Sequence, residues 1–207
     1  MNWIISLGKV HLGDCMLVII EGVDGTGKST LIESLKVECL PLHTYAVNFS
    51  YPKGYETNVS AALARGEYLG SIKVFKEIFR LDPDAVIICD RFHLGEFAYG
   101  PVKRGYPEWL AEKVFEIEDE ILKEIGQKNI RLIIMGVSKP EVVMKRSDRP
   151  GEYLTELKEY TEVNKRYALA AGKTRLPYIV IQPDYLNPKQ VLDRVVQFMV
   201  EEIDDNF

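Results

Sequence analysis

The stretch that decides the fold is Leu17-Val-Ile-Ile-Glu-Gly-Val-Asp-Gly-Thr-Gly-Lys-Ser-Thr30. Residues 22–29 within it follow the pattern Gly-x-x-x-x-Gly-Lys-Ser, which is typical of a loop that binds nucleotide phosphates. The apolar run before the loop predicts a strand, and apolar residues at helical spacing follow from Leu31 onward. Because such a loop must join a strand to a helix, the stretch predicts a nucleotide-phosphate site. The alternative is a simple glycine turn before a helix.

The residue types of the loop fit this chemistry. Glycines allow consecutive backbone N–H groups to converge on an anion, and a helix that begins near Lys28 adds partial positive charge. Lys28 is expected to reach the β- and γ-phosphates, and the Ser29 hydroxyl is expected to hold Mg²⁺. The predicted nucleotide-binding residues are Gly22, Asp24, Gly25, Thr26, Gly27, Lys28, Ser29 and Thr30.

Length and composition limit the class of protein. A chain of 207 residues with 46% hydrophobic and 28% charged residues suits one soluble α/β domain. The net charge of -5 argues against a general nucleic-acid binder, and no apolar run is long enough to span a membrane. Residues 1–7 lack the basic start of a signal peptide. Cys15, Cys39 and Cys89 show no spacing typical of zinc sites. We therefore expect a cytoplasmic protein with reduced thiols.

Alternating strands and helices predict a parallel, doubly wound sheet. After the strand that precedes the loop, further strands are predicted at 44–49, 86–91, 130–137 and 178–181. Helices are predicted after the loop, between 54 and 82 with an interruption around Gly66 and Gly70, and at 108–125, 155–171 and 188–203. A long loop is predicted from Gly100 to Pro107.

The remaining segments fit a single domain, residues 1–207. Residues 1–15 are an N-terminal extension without an evident role in the core, and a compact enzyme of this type could begin at Met16. Residues 138–153 are short, basic and broken by prolines, so they are predicted to form a lid and not a regular element.

Several motifs together resemble those of one family. The stretch 21–30 follows Glu-Gly-x-Asp-Gly-x-Gly-Lys-[Ser/Thr]-Thr, and Asp90-Arg91-Phe92 matches Asp-Arg-[Tyr/Phe/His]. Ala98-Tyr99 lies at the distance that the family shows beyond this motif. The looser matches are Ser147-Asp148-Arg149, Tyr160 and Asn164-Lys-Arg-Tyr167, which are similar to the family's lid and the helix after it. Over residues 16–200 the chain resembles the thymidylate kinase family of P-loop nucleoside monophosphate kinases. The resemblance implies a P-loop NTPase fold with three α/β/α layers, a five-stranded parallel sheet of order 2-3-1-4-5, and often a homodimer.

The resemblance also implies transfer of the ATP γ-phosphate to a nucleoside monophosphate, with ATP and Mg²⁺ as cofactors. Bringing two polyanions together calls for cations and exclusion of water. The predicted catalytic residues are Lys28, Arg91, Arg146 and Arg149, and the predicted metal ligands are Ser29 and Asp90. The family assigns Arg91 to the acceptor phosphate. Alternatively, Asp90 and Arg91 form an ordinary ion pair at a strand end, and the lid is a solvated basic turn.

Recognition of the acceptor is where the chain departs from the family. In the family, Asp24 lies near the sugar 3′-hydroxyl of the acceptor. The predicted acceptor-binding residues are Asp24, Lys53, Tyr68, Arg91, Glu96 and Tyr99. Residues 93–96 and Gly100 stand where the family has Ser or Thr and Gln for reading thymine. Glu96 either accepts hydrogen bonds from an amino or hydroxyl group of a base, or is a solvated carboxylate at a helix start. The expected acceptor is dTMP or a related or modified pyrimidine deoxynucleotide.

Two rival functions remain. A deoxynucleoside kinase needs a carboxylate base near the end of the second strand, whereas residues 48–50 contain no acid. A GTPase-like switch normally carries Asn-Lys-x-Asp, whereas residues 164–167 lack the aspartate. The expected partners are small nucleotides, with no nucleic acid, no membrane and a possible second copy of the chain.

Overall fold

The computed structural model describes residues 15–39, 43–49, 57–146 and 154–203. The expectations for most of the N-terminal extension, for Lys53, for Arg149 and for the second half of the lid lie outside these residues.

Five parallel strands form one sheet in the order β2-β3-β1-β4-β5. Their bounds are β1 Met16–Gly22, β2 Thr44–Asn48, β3 Val86–Asp90, β4 Ile130–Met135 and β5 Tyr178–Ile181. The central strands β1 and β4 are buried along their whole length, while the edge strands β2 and β5 contain exposed positions. The apolar runs of the sequence therefore belong to strands covered on both faces, as in parallel sheets generally. The predicted strand order is confirmed.

Eight α-helices lie within the described residues. They are α1 Lys28–Ser34, α2 Thr57–Leu81, α3 Leu94–Lys103, α4 Glu108–Glu112, α5 Glu116–Ile125, α6 Pro140–Arg146, α7 Leu157–Ala171 and α8 Pro188–Val200. A π-helical turn, Leu35–Cys39, continues α1. Three 3₁₀ turns lie at Lys113–Phe115, Gln127–Asn129 and Pro183–Tyr185.

The helices cover the sheet in two layers. Alternate residues of a strand point to opposite faces, so Leu17 and Ile19 belong to one core cluster and Val18 and Ile20 to the other. The first cluster includes side chains of α2 to α7, and the second includes side chains of α1 and α8. The chain thus has a three-layer α/β/α architecture.

The helix α2 corrects one prediction. An interruption around Gly66 and Gly70 is wrong, because α2 runs without a break from Thr57 to Leu81. Both glycines are exposed, and a Cβ atom at either position would meet no other atom. Glycine costs about 1 kcal/mol in a helix relative to alanine. Burial of the opposite face of α2, through Tyr68, Ile72 and other residues, offsets that cost.

The helix α3 corrects a second prediction. Gly100 and Pro101 are helical and do not begin a loop. Proline at 101 has no N–H to donate to the carbonyl of Phe97, four residues earlier. The Arg166 side chain of α7 donates to that carbonyl instead, at 2.7 Å. A distant residue thereby removes the usual penalty, and the connection to α4 shortens to residues 104–107.

Two further segments differ from the predicted pattern. The helix predicted at 108–125 is divided into α4 and α5 by the 3₁₀ turn. The segment predicted as an irregular lid begins with a helix, α6, whose Val143 is buried in the core.

The described residues also bear on membrane spans and on the cysteines. None of the helices in this part of the chain is long and apolar enough to cross a membrane. Cys89 is buried in β3, and burial raises the pKa of its thiol.

Candidate active site

The phosphate loop joins β1 to α1 at the carboxyl edge of the sheet. Gly22 adopts φ 144°, and a Cβ atom there would lie 2.5 Å from the Met135 carbonyl oxygen of β4. Only glycine fits so close to a neighbouring strand. Gly27 adopts φ 91° and caps α1, so the loop turns directly into the helix. The Thr26 hydroxyl is buried and donates to the Val23 carbonyl oxygen at 2.9 Å, which holds the loop in shape.

Lys28 lies folded into the loop. Its Nζ donates to the carbonyl oxygens of Gly22 and Val23, at 3.0 and 2.8 Å. Burial, with repulsion from Arg91 as the second cause, lowers the pKa of Lys28 to about 7. The carboxylates of Asp24, Asp90 and Glu21 act in the opposite direction. A buried ammonium group that is hydrogen-bonded to carbonyl oxygens is well suited to an arriving anion, because a phosphate would add a counter-charge in direct contact.

Arg91 follows β3 directly and faces the loop. It adopts φ 68°, and no other non-glycine residue of the described chain has a positive φ. Its guanidinium forms an ion pair with Asp24 and lies 4.8 Å from the centre of the Tyr99 ring. The Tyr99 hydroxyl accepts a hydrogen bond from the Asp24 N–H at 3.2 Å. Three of the predicted acceptor-binding residues are therefore in mutual contact.

Glu21 holds the backbone beside Arg91. It is fully buried, and its Oε1 accepts from the N–H groups of Phe92 and Gly95 at 2.8 and 3.2 Å. Its Oε2 accepts from the Tyr167 hydroxyl of α7 at 3.0 Å. Burial raises the pKa of Glu21, while His93 and Arg91 act in the opposite direction. The carboxylate links the phosphate-loop strand β1, the segment after β3 and helix α7.

One cavity of about 640 Å³ gathers most of the predicted phosphate-binding residues. Its lining includes Asp24, Gly25, Thr26, Gly27, Lys28, Ser29, Thr30, Asp90, Arg91 and Arg146. Gly22 lies just before it in β1. The cations at this cavity come from the loop, from the end of β3 and from α6, which are far apart in sequence.

The oxygen groups expected to hold a metal line the same cavity. They are the Ser29 hydroxyl and the Asp90 carboxylate. The Asp90 Oδ2 accepts from the Asn48 side chain at 3.2 Å. The described residues contain no cluster of three or more His, Cys, Asp or Glu side chains that could hold a metal. One hydroxyl and one carboxylate fit Mg²⁺, which keeps several waters and takes further oxygens from bound phosphates.

The start of the segment predicted to form a lid is fixed to its surroundings. The Asn164 side chain of α7 accepts from the Val137 N–H and donates to its carbonyl, at 2.9 and 2.8 Å. The Ser138 N–H donates to Asp184 at 2.9 Å. From this anchored start, α6 carries Arg146 to the cavity wall. Arg149 lies outside the described residues, so its predicted role stays a prediction.

The remaining predicted acceptor residues, Tyr68 and Glu96, line a second cavity of about 460 Å³ between α2 and the segment α3–α5. Tyr68 is buried, and its ring packs at an angle against Phe49 and Phe92, with centroids 5.6 and 4.8 Å away. Glu96 is not a solvated carboxylate at a helix start, because only 3% of it is exposed. Burial raises the pKa of Glu96, and the nearby Arg104 counteracts this effect.

His93 has a structural position. It is fully buried, and its Nε2 lies 3.0 Å from Glu118 Oε1 of α5. Glu118 also accepts from the Thr174 hydroxyl and from the Arg175 N–H. His93 therefore ties α3 to α5 and to the segment before β5.

Sequence reasoning missed three residues of these sites: Glu21, Arg104 and Tyr106. A signal existed for Glu21, since an acid that ends an otherwise apolar strand must find buried donors. No local signal existed for Arg104 and Tyr106, whose positions depend on how the chain turns after α3.

Known proteins resemble this chain in structure. No protein-family model matches the sequence, and no curated protein sequence matches it. A YorR protein from Bacillus subtilis, solved in complex with phosphorylated GDP, is 19% identical with a TM-score of 0.61, over 88% of this chain and 94% of that chain. Deoxyadenosine kinase from M. mycoides, solved with bound dCTP, is 17% identical with a TM-score of 0.53, over 88% of this chain and 97% of that chain. Thymidylate kinase from Candida albicans is 16% identical with a TM-score of 0.59, over 92% of this chain and 96% of that chain. At such identities the likeness shows the fold: the chain has the three-layer α/β/α P-loop architecture.

Proposed function

We propose that this protein is an ATP-dependent phosphotransferase that moves the γ-phosphate of ATP onto the 5′-phosphate of a deoxynucleoside monophosphate. The observation that carries the proposal is the single cavity in which the phosphate loop meets Asp90, Arg91 and Arg146. Cations from three parts of the chain surround one space, which suits the approach of two polyanions. The sequence resemblance suggests dTMP or a related or modified pyrimidine as the acceptor.

The loop would bind the donor. Backbone N–H groups of residues 24–29 surround the phosphates, and Lys28 exchanges its two carbonyl partners for phosphate oxygens. Ser29 and Asp90 would hold Mg²⁺, which neutralises phosphate charge when bound. Asp90 is held in position by Asn48 of β2.

Arg91 would bind the acceptor phosphate. Its ion pair with Asp24 keeps the guanidinium at the cavity wall, and its contact with Tyr99 fixes its plane. An acceptor phosphate is already an anion at neutral pH, so its oxygen can attack the γ-phosphorus without a strong base. The new P–O bond forms as the bond to the β-phosphate oxygen breaks, and ADP leaves. Arg146 would balance the charge that develops on the transferred group.

Asp24 would also contact the sugar. Its backbone N–H is bound to Tyr99 and its carboxylate to Arg91, so it lies between the loop and α3. A carboxylate at this junction suits a hydrogen bond from the 3′-hydroxyl of a deoxyribose.

A panel of acceptors tests the proposal. Release of ADP from ATP and Mg²⁺ is measured with the four common deoxynucleoside monophosphates and with the four matching deoxynucleosides. The proposal requires turnover with at least one monophosphate and little with the nucleosides. Turnover with nucleosides alone would instead identify a deoxynucleoside kinase. ADP release that no acceptor stimulates would favour a hydrolytic switch.

A further inference from the structure

The amino edge of the sheet carries an apolar groove that the proposed transfer does not use. The groove has a volume of about 780 Å³ and lies between α5, the segment before β5 and the end of α8. Its apolar lining residues are Leu122, Leu176, Pro177, Tyr178, Phe198 and Ile203. Leu176 and Phe198 are buried, whereas Tyr178 is 40% exposed. An exposed apolar surface with polar residues around it is typical of an interaction site.

The chain enters the sheet beside this groove. The five strands are parallel, so β1, β4 and β5 begin at the same edge. Leu17 of β1 pairs with Ile130 of β4, and Leu132 of β4 pairs with Tyr178, which lines the groove. Neighbouring strands lie about 4.8 Å apart, so β1 and β5 are roughly 10 Å apart across the sheet. The residues that precede β1 therefore start close to the groove.

These preceding residues have a composition that suits packing against apolar surface. Residues 1–14 read Met-Asn-Trp-Ile-Ile-Ser-Leu-Gly-Lys-Val-His-Leu-Gly-Asp, and half of them are apolar. Trp3, Ile5 and Leu7 recur at every second position, a spacing that places three large side chains on one face of an extended segment.

The segment is also long enough to reach the groove. An extended chain spans about 3.3 Å per residue, so the eight residues from Gly8 to Cys15 can span roughly 26 Å. This length exceeds the separation of β1 and β5, so Leu7 and the residues before it can lie over the groove.

We propose that residues 1–14 bind in this groove of their own chain, with Trp3, Ile5 and Leu7 as the side chains that cover it. Removal of apolar surface from water on both sides drives the contact. The inference goes beyond the proposed function, because the groove lies at the edge of the sheet opposite the phosphate loop.

Charge favours this segment over residues 204–207, which follow Ile203 at the groove. Those residues contain Asp204, Asp205 and one apolar side chain. They would place two carboxylates beside the exposed Glu202, and like charges repel. The Arg175 side chain at the groove already pairs with an aspartate of α5. Residues 1–14 instead contain as many basic as acidic side chains, one of each.

The amino edge on the other side of β1 suits the segment less well. Before β3, Asp84 is exposed and Asp82 pairs with His43. Covering these charged groups with apolar side chains would cost free energy without supplying new partners. The groove beside β5 offers apolar side chains at the same edge.

Trp3 provides the test. The chain has two tryptophans, and Trp109→Phe removes the other, which is 58% exposed and does not line the phosphate cavity. Fluorescence emission of Trp3 and its quenching by acrylamide are then measured in the full chain. The proposal requires emission at shorter wavelength and weaker quenching than in the same protein unfolded in guanidinium chloride. Equal values in the folded and unfolded protein would overturn it.

Two aspartate substitutions in this background locate the bound segment. Ile203→Asp changes the groove, and Ile5→Asp changes the segment. Each should shift Trp3 emission toward that of the unfolded protein, because each brings a charge into an apolar contact. The double variant should show little more shift than either single variant, since both changes break the same contact.

Each substitution has a matched control. Val74→Asp places the same charge on the exposed face of α2, outside the groove, and Ser6→Asp places it between Ile5 and Leu7. Both controls should leave Trp3 emission unchanged, and circular dichroism checks that every variant is folded. If Ile203→Asp does not fold, Tyr178→Asp tests the same groove at an exposed position. Trp3 that stays buried in a folded groove variant would overturn the proposal.

A second copy of the chain is the rival occupant of the groove. Trp3 emission is therefore measured from dilute to concentrated protein, with sedimentation velocity to determine the mass. A contact within one chain gives the same emission at every concentration. Exposure of Trp3 on dilution would assign the contact to another copy and overturn the proposal. These measurements use no nucleotide, so their failure leaves the proposed function intact, and absence of phosphoryl transfer leaves this inference intact.

Discussion

Glu21, the residue before the end of β1, uses both of its carboxylate oxygens. One oxygen accepts from the N–H groups of Phe92 and Gly95, and the other accepts from the Tyr167 hydroxyl. Arg91 precedes Phe92 and has an unusual backbone conformation, φ 68°. Positive φ is strained for a residue with a side chain and persists when its surroundings enforce it. The hydrogen bonds of Glu21 supply that enforcement.

Replacing Glu21 by Gln should therefore lower kcat for phosphoryl transfer by roughly 10-fold, since a neutral amide oxygen accepts from the N–H groups of Phe92 and Gly95 more weakly than a carboxylate does and holds the segment after Arg91 less firmly. The cost to stability should be about 1–2 kcal/mol, because charge-assisted hydrogen bonds become neutral ones. Steady-state kinetics and thermal unfolding of the same sample measure the two effects. Tyr167→Phe, which removes only the second contact, should have the smaller effect on kcat. A Glu21→Gln enzyme with unchanged kcat and a lowered Tm would restrict Glu21 to a structural role.

The lowered pKa of Lys28 predicts that ATP binding depends on pH. With its pKa lowered to about 7, mainly by burial, the empty site holds Lys28 charged below this pH and increasingly neutral above it. Bound polyphosphate favours the charged form, so ATP binding at about pH 8.5 should take up close to one proton. Affinity for ATP should fall as pH rises above 7. Calorimetry in two buffers of different ionisation enthalpy measures the uptake. Lys28→Arg should abolish it, since arginine stays protonated. Binding without proton uptake in the wild type would contradict the lowered pKa.

Sequence motifs identified some residues of the two cavities but not others. Lys28, Ser29 and Asp90 were predictable because the chemistry of a phosphate and a metal ion fixes their type and spacing. Arg104 was not, because its partner Glu96 is defined by the turn after α3 and by the space at Gly100.

Alanine in place of glycine should have opposite effects on stability in helices α2 and α3. Gly70 is exposed on α2 with open space around it, whereas Gly100 of α3 lies against the Tyr106 ring. Gly70→Ala should stabilise the protein by up to about 1 kcal/mol through helix propensity. Gly100→Ala should destabilise it by about 1–3 kcal/mol, since the added methyl group must displace a buried ring. Chemical denaturation of both variants measures the difference. A stabilised Gly100→Ala variant would show that Tyr106 does not occupy this position.

Helix α6 makes a prediction about the lid. Arg146, in its last turn, lines the phosphate cavity. If its contact with the transferred group forms mainly in the reacting state, Arg146→Ala should lower kcat strongly and change ATP affinity little. Steady-state kinetics and equilibrium ATP binding measure the two quantities. Lys145→Ala, beside it on α6, serves as a comparison because Lys145 does not line the cavity. An Arg146→Ala enzyme with wild-type kcat would show that Arg146 does not balance the charge on the transferred group, and Arg149 or Arg91 would then be the candidate for this role.

Element boundaries depended on contacts that local sequence does not contain. Pro101 and the neighbouring glycines predicted a loop, yet Arg166 of α7 supplies the hydrogen bond that proline removes. The division of the helix at 108–125 likewise has no local breaker, since residues 113–115 contain neither glycine nor proline.

On the scale of the whole molecule, the sheet was the most predictable feature. Apolar runs without alternation, as in β1 and β4, are typical of central parallel strands, and alternation of strands with helices predicts parallel pairing. The strand order itself was implied by the family resemblance. The cavity lies at the carboxyl edge, where the chain continues from central β1 to strands on both sides. Despite a net charge of -5, Lys28, Arg91 and Arg146 gather at this edge. A local cationic site in an acidic protein suits a small polyanionic ligand.

The central claim is phosphoryl transfer between nucleotides at the phosphate loop. The most direct measurement is ³¹P NMR of the protein with ATP, Mg²⁺ and its best deoxynucleoside monophosphate. The predicted result is that signals of ADP and of the new deoxynucleoside diphosphate grow together, without a matching rise in inorganic phosphate. Lys28→Ala should slow this by on the order of 10³-fold or more while circular dichroism shows a folded protein. Inorganic phosphate as the main product, or near-normal transfer by folded Lys28→Ala, would contradict the account.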